Sequence, residues 1–164
     1  MTQQNDEIMT KQIETSIRIK ASSETVWDIL TDFEKYPQWN PFIKSVKGEV
    51  KEGNNIEVRI EPPGAKGMTF KPKVLAFEPQ KEFKWLGNLW VKGLFDGEHA
   101  FFLTAHKDGS TTLVQSEKFK GILVPLFSNM LDNNTLKGFQ QMNEKLRELA
   151  EAKVLESAFN VVKP

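Results

Sequence analysis

His99 and Glu117 are the side chains in this sequence best suited to chemistry, provided the fold brings them together. A carboxylate beside an imidazole in an apolar pocket can hold the ring charged or orient it as a general base. Their meeting depends on one turn, His106-Lys107-Asp108-Gly109-Ser110. A two-residue Asp-Gly turn would set His99 against Lys118 and Glu98 against Phe119, wasting both charges. A three-residue loop, with Gly109 left-handed as a G1 bulge, instead pairs Glu98 with Lys118 and His99 with Glu117. Cross-strand charge matching favours the second register. It also sets Phe101, Leu103, Leu113 and Phe119 on the face of His99 and Glu117. The plainer reading of the pair is a buried polar contact that satisfies itself and fixes strand register.

Large soft side chains are the second signal. Trp39, Phe70, Phe83, Trp85, Phe101 and Phe119, with Met68, Met130 and Met142, exceed what a tight small core needs. Pockets for apolar ligands are lined this way, and methionine adapts to varied shapes. Each of these residues, taken singly, also suits an ordinary core. Trp90 has the opposite strand parity to Trp85, which puts it outside or at a mouth. Trp39-Asn40-Pro41-Phe42 reads either as a proline-fixed corner plugged by Trp39 or as a ligand gate. Asn133-Asn134-Thr135 matches a glycosylation acceptor by chance, and Ser116 should face away from His99.

Composition narrows the classes of function. The chain has 164 residues, with 22 basic and 22 acidic side chains and no cysteine. Balanced charge argues against a nucleic-acid binder and gives no reason for strong attraction to an anionic membrane. Disulfides, thiolate metal sites and cysteine nucleophiles are excluded, and two histidines make a zinc site a poor fit. No cofactor or metal is expected. The polar start lacks an apolar signal region, and the apolar runs are too short to span a bilayer, so a cytoplasmic protein without stable membrane insertion is expected.

The elements that must position the pair follow from periodicity. Gln12 to Lys20 alternates as a strand with one dry face. Ser22 or Ser23 caps a short helix with Val26, Leu30 and Phe33 on its apolar side, and Asp32 to Tyr36 forms a second short turn. Strands follow at Lys44–Val50, Ile56–Glu61, Met68–Glu78, Phe83–Trp90, Leu94–His106 and Ser110–Lys120, with Pro72 arguing for an edge or bulge. From Gly121 to about Lys153 a long helix carries Phe139, Met142, Leu146 and Leu149 as a stripe, with Asn143 among the residues on its solvent side. Asp132-Asn133-Asn134 is its weak point. The order is that of an α+β domain, spanning 9–153 between a disordered tail at 1–8 and a C-terminal tail at 154–164.

The stretch V-W-D-I-L-T-D-F-E-K-Y-P-Q-W-N-P-F (Val26 to Phe42) resembles the start of a START/Bet v 1-like (SRPBCC) domain of the polyketide cyclase/dehydrase and lipid-transport group. G-L-F-D-G-E-H (Gly93 to His99) and Q-S-E-K-F-K-G-I-L-V-P (Gln115 to Pro125) are similar to a bacterial branch of that group whose function is undefined. The resemblance implies a helix-grip fold, with a curved seven-stranded antiparallel sheet around the C-terminal helix and an apolar cavity between them. It implies binding or transport of a small hydrophobic or amphipathic molecule, lipid-like or polyketide-like. The expected ligand residues are Trp39, Met68, Phe70, Phe83, Trp85, His99, Phe101, Glu117, Phe119, Met130, Phe139 and Met142. The competing readings are a cyclase or dehydratase using His99 and Glu117, and a protein-interaction module with a vestigial cavity.

Overall fold

The computed structural model describes residues 9–89 and 91–161. The tail expected at 1–8 and the placement of Trp90 lie outside the described residues. Strand β1 (Thr10–Ile19) leads into helix α1 (Ser23–Thr31), a 3-10 turn (Phe33–Lys35) and one helical turn, α2 (Tyr36–Trp39). Ser22 caps α1 by accepting from the Thr25 amide at 3.2 Å, with Glu24 in the positively polarised first turn. Val26, Trp27 and Leu30 form its buried side. Pro37 suits the first turn of α2, so the chain continues helical beyond the short turn expected to end at Tyr36. The Tyr36 hydroxyl donates to the Leu30 carbonyl at 2.5 Å, and burial pushes its phenol pKa up. Asn40 Oδ1 then accepts from the amides of Phe42 and Ile43 at 3.0 and 2.8 Å, turning the chain into the next strand.

Seven further strands follow: β2 (Ile43–Lys47), β3 (Glu57–Ile60), β4 (Met68–Phe70), β5 (Lys73–Glu78), β6 (Glu82–Asn88), β7 (Asp96–Ala105) and β8 (Thr111–Lys120). They form a five-stranded sheet ordered β1-β8-β7-β6-β5 and a three-stranded sheet ordered β2-β3-β4. Among the described residues the helix-grip wall is therefore eight strands in two sheets, not one sheet of seven. Pro72 is the reason: lacking an N–H, it ends the strand expected over Met68–Glu78 and separates β4 from β5. The sheets stay stitched at that point, where Ile56 donates to the Pro72 carbonyl at 3.0 Å and Gly53 to that of Val74 at 2.9 Å.

The β7–β8 turn has the three-residue form. The His106 amide donates to the Ser110 carbonyl at 2.8 Å and the Gly109 amide to the His106 carbonyl at 3.0 Å. Gly109 has φ +82°, a conformation costly for residues with a Cβ. Asp108 accepts from the Ser110 hydroxyl at 2.7 Å. This bond, with that from the Ser110 amide and the nearby Arg18, holds its carboxyl below the usual range. The resulting register pairs Glu98 with Lys118 and His99 with Glu117.

The C-terminal segment is one rod with a flaw. Helix α3 (Val124–Met130) passes through a π-turn (Leu131–Thr135) into helix α4 (Leu136–Val161). The weak Asp132-Asn133-Asn134 stretch thus bulges without breaking. Asn133 donates back to the Asn129 carbonyl at 2.9 Å, and Asn134 donates to the Pro63 carbonyl at 2.6 Å. Phe139, Met142, Leu146 and Ala150 are fully buried against β1, β8 and α1. The stripe drifts at 3.6 residues per turn, so Ala150 replaces the expected Leu149, which is 38% exposed. Asn143, expected in solvent, is buried and donates to Thr15 Oγ1 at 2.8 Å. The helix runs to Val161, into the stretch expected as a tail, and Val154, Leu155 and Phe159 stand exposed there.

Truncating the gripped part of the rod and its overhang should differ sharply. In urea denaturation, Phe139→Ala is expected to cost ~3–5 kcal/mol, and Leu155→Ala to stay within ~0.5 kcal/mol.

Candidate functional site: a half-filled cavity under the helix

Three cross-strand rows on the helix-facing side build the site. The first aligns Thr15, Gln115, Phe101 and Phe83; the second Ile13, Glu117, His99 and Trp85; the third Lys11, Phe119, Gly97 and Gly87. The first two rows are filled. The third has two facing glycines, so it presents no side chain to the interior over two adjacent strands. Neighbouring side chains lean into this notch. A Cβ on Gly97 would lie 2.6 Å from Glu117 Oε1, and one on Gly87 would lie 3.0 Å from the Phe70 ring. What they do not fill remains as a cavity of about 100 Å³, open on one side.

Of the residues expected at the ligand, Met68, Phe70, Glu117, Phe119 and Met130 line this cavity. Phe83, Trp85, His99, Phe101, Phe139 and Met142 do not: they are at most 2% exposed and pack on one another. The His99 ring lies flat on Trp85 with centroids 4.6 Å apart, and meets Phe139 edge to face at 5.1 Å. Strand parity put these residues on the correct face, but the rows they occupy lie under α4, whose Phe139 and Met142 fill the space. Trp39 packs on Tyr36 at 5.2 Å and borders a separate groove with Asp28 and Leu149. Sequence reasoning missed Ile60, Leu89, Phe95, Phe127, Leu131 and Thr135 on the cavity wall. The Gly87–Gly97 notch depends on the register of β6 on β7, which the sequence reading did not derive, and the loop and π-turn residues carry no periodic signal.

The polar part of the site is a chain of three. His99 Nδ1 lies 3.2 Å from Glu117 Oε2, and His99 Nε2 lies 3.2 Å from Gln115 Nε2. Gln115 was not among the candidates, although it sits two residues before Glu117 on the same face. In this orientation its amide nitrogen also reaches Met142 Sδ at 3.6 Å. The nitrogen can only donate, so the ring accepts at Nε2 and carries its proton on Nδ1, directed at the carboxylate. The cost is Gln115 Oε1, a buried acceptor with no donor among the described residues. Both ring nitrogens are thereby engaged, and the His99 side chain is 3% exposed against 13% for Glu117. Glu117 borders the cavity, and the imidazole lies behind it, outside the lining. Among the described residues no three His, Cys, Asp or Glu side chains converge as metal ligands.

A family described as polyketide cyclase / dehydrase and lipid transport matches residues 10–151. Among solved structures, the ZhuI aromatase/cyclase from Streptomyces sp. R1128 superposes with a TM-score of 0.71 at 15% identity, over 89% of this chain and 96% of that one. A protein of unknown function, SA2116 from Staphylococcus aureus, gives 0.67 at 15% identity, over 92% and 99%. A point mutant of Thalictrum flavum norcoclaurine synthase, in complex with a transition-state analogue, gives 0.65 at 15% identity, over 88% and 96%. At such identities the likeness shows the fold. No curated protein sequence matches the chain.

The hydrogen-bond order has a spectroscopic signature. Long-range ¹⁵N–¹H correlation spectra of the neutral His99 ring should show the Nδ1–H tautomer, and Gln115→Leu should mix in the other one. A pure Nε2–H pattern in the unsubstituted protein would contradict the chain.

Proposed function

We propose, for a chain that belongs to the polyketide cyclase / dehydrase and lipid transport family, that it binds a small amphipathic molecule. The apolar body sits in the cavity and a hydrogen-bond donor on the ligand meets Glu117. The observation that carries this reading is an apolar space whose one ionisable group, among the described lining residues, is that carboxylate. Removal of apolar ligand surface from water supplies the drive, at ~25 cal/mol per Å² before the costs of association. A space of about 100 Å³ suits a ring or a short chain, and a longer tail would leave through the open side.

Glu117 also sets the polarity of the guest. An ionised carboxylate accepts hydrogen bonds and repels anions, so a phenol, alcohol or amine is favoured over a fatty-acid anion. A proton-transfer role for the same site, as in a cyclase or dehydratase, would rest on Glu117 as the base. His99 has no free nitrogen and no face on the cavity, which favours binding over turnover through the imidazole.

Calorimetric titration with 1-naphthol and 1-naphthoate tests the reading. Naphthol should bind about tenfold more tightly or better, and Glu117→Gln should narrow the gap. Thr135→Met, which fills the void, should abolish binding of both. Equal affinity for the two probes, or none for either, would remove the proposed role.

A further inference from the structure

We infer that the guest of this cavity carries one positive charge, a primary ammonium on an apolar body; this rests on the ligand-binding role above and names the class of molecule. Glu117 is a carboxylate without a countercharge. Its neighbours on the helix-facing side of the sheet are Ile13 on β1, His99 on β7, and Gln115 and Phe119 two positions away on its own strand. None is a lysine or arginine. The His99 ring accepts from Gln115 at Nε2, so it is neutral in this hydrogen-bond order. Lys118 and Lys120 have the opposite strand parity and belong to the other face. Lys11 is the lysine of the helix-facing rows, opposite Phe119. Its ammonium is held by Asp132 at 2.7 Å and Ser128 at 2.9 Å, and it is not part of the cavity wall. Among the described lining residues there is no lysine, arginine or histidine.

The position of the second carboxylate oxygen gives the charge its direction. Oε2 faces His99 Nδ1 at 3.2 Å. Oε1 makes no hydrogen bond among the described residues and leans over Gly97, 2.6 Å from where a Cβ would stand. That Cβ would also lie 3.7 Å from the Phe119 ring, and one on the paired Gly87 would lie 3.0 Å from the Phe70 ring. The notch thus gathers one unpaired oxygen between two aromatic rings. Phe95 adds a third ring, 5.3 Å from that of Phe119. Aromatic rings accept a neighbouring cation better than aliphatic side chains do, because their faces carry partial negative charge. An ammonium gives Oε1 a charge-assisted hydrogen bond, about twice as strong as one from a neutral hydroxyl. Asn88 and Thr135, the other polar side chains on the wall, are neutral and can accept from its remaining N–H groups. Burying an ion pair costs the desolvation of both charges, but the folded protein already bears most of it for Glu117, whose side chain is 13% exposed. A neutral hydroxyl satisfies the acceptor and leaves the charge unbalanced; an anion doubles it.

Calorimetric titration with 1-naphthylmethylamine, protonated at neutral pH, and its neutral isostere 1-naphthalenemethanol tests this, with 1-naphthol titrated alongside. The amine should bind about tenfold more tightly than the alcohol, or better. Glu117→Gln should bring the two affinities together. Gly97→Ala keeps the charge but places a methyl where Oε1 now leans, and the end of a flexible side chain can yield to it. This second variant should weaken the amine more than the alcohol, and it carries the test if the glutamine variant does not fold. Equal affinity for amine and alcohol in the unsubstituted protein, with naphthol bound, would overturn the ammonium alone and leave ligand binding in place. So would an advantage of the amine that persists undiminished in the variants. Absence of binding by naphthol, alcohol and amine alike would overturn the ligand role together with the ammonium built on it.

Discussion

The register of β7 on β8 decides how His99, Gln115 and Glu117 face one another. Side chains alternate faces along a strand, so a slip of one residue would leave His99 and Gly97 on one face and Gln115 and Glu117 on the other. Gly109, at φ +82°, closes the three-residue loop that forbids the slip. Asp108 and Ser110 secure the turn, and Arg18 on β1 reaches over to it at 2.8 Å. The His99–Glu117 contact is a consequence of this one turn, although it lies far along the hairpin from it, and the Gly87–Gly97 notch is set by the register of β6 on β7.

Within that register the interior divides into a solid half and a hollow half. Phe83, Trp85, Phe101, Phe139 and Met142 pack around His99 with no room for a guest. A buried imidazole in such surroundings needs partners for both nitrogens, and Gln115 and Glu117 supply them. The solid half thus works as the support that holds one carboxylate at the edge of the hollow half. In the proposed ligand-binding role, preorganisation of this kind would limit the ordering cost, because the acceptor has its orientation before a ligand arrives.

The hollow half is bounded by the least regular parts of the chain. The π-turn Leu131–Thr135 contributes Leu131 and Thr135 to the cavity, and Asn134 beside them holds the Pro63 carbonyl at 2.6 Å. Such turns inside α-helices recur at functional sites, where the added residue re-aims side chains. Opposite them, the connection between β6 and β7 brings Leu89 and Phe95 to the wall. Irregular backbone supplies the opening, while regular sheet and helix supply the floor.

Much of this was legible in the chain. Alternation from Gln12 to Lys20, a cap at Ser22 or Ser23, the hairpin turn and the long apolar stripe each follow from local rules. Charge matching between Glu98 and Lys118 was enough to choose the register, because both strands and their turn are contiguous in sequence. Tertiary structure alone decided which of the concave residues border a void. Trp85 and Phe70 carry the same kind of signal in sequence, yet Trp85 is buried among Phe83, His99 and Phe101 while Phe70 faces open space. It also decided that Asn143 is inside and Leu149 partly outside, since the helix settles by how its whole face packs against β1 and α1. Periodicity reports the face on which a side chain lies; whether that place is filled depends on the volume of residues distant in sequence, and no local pattern records it.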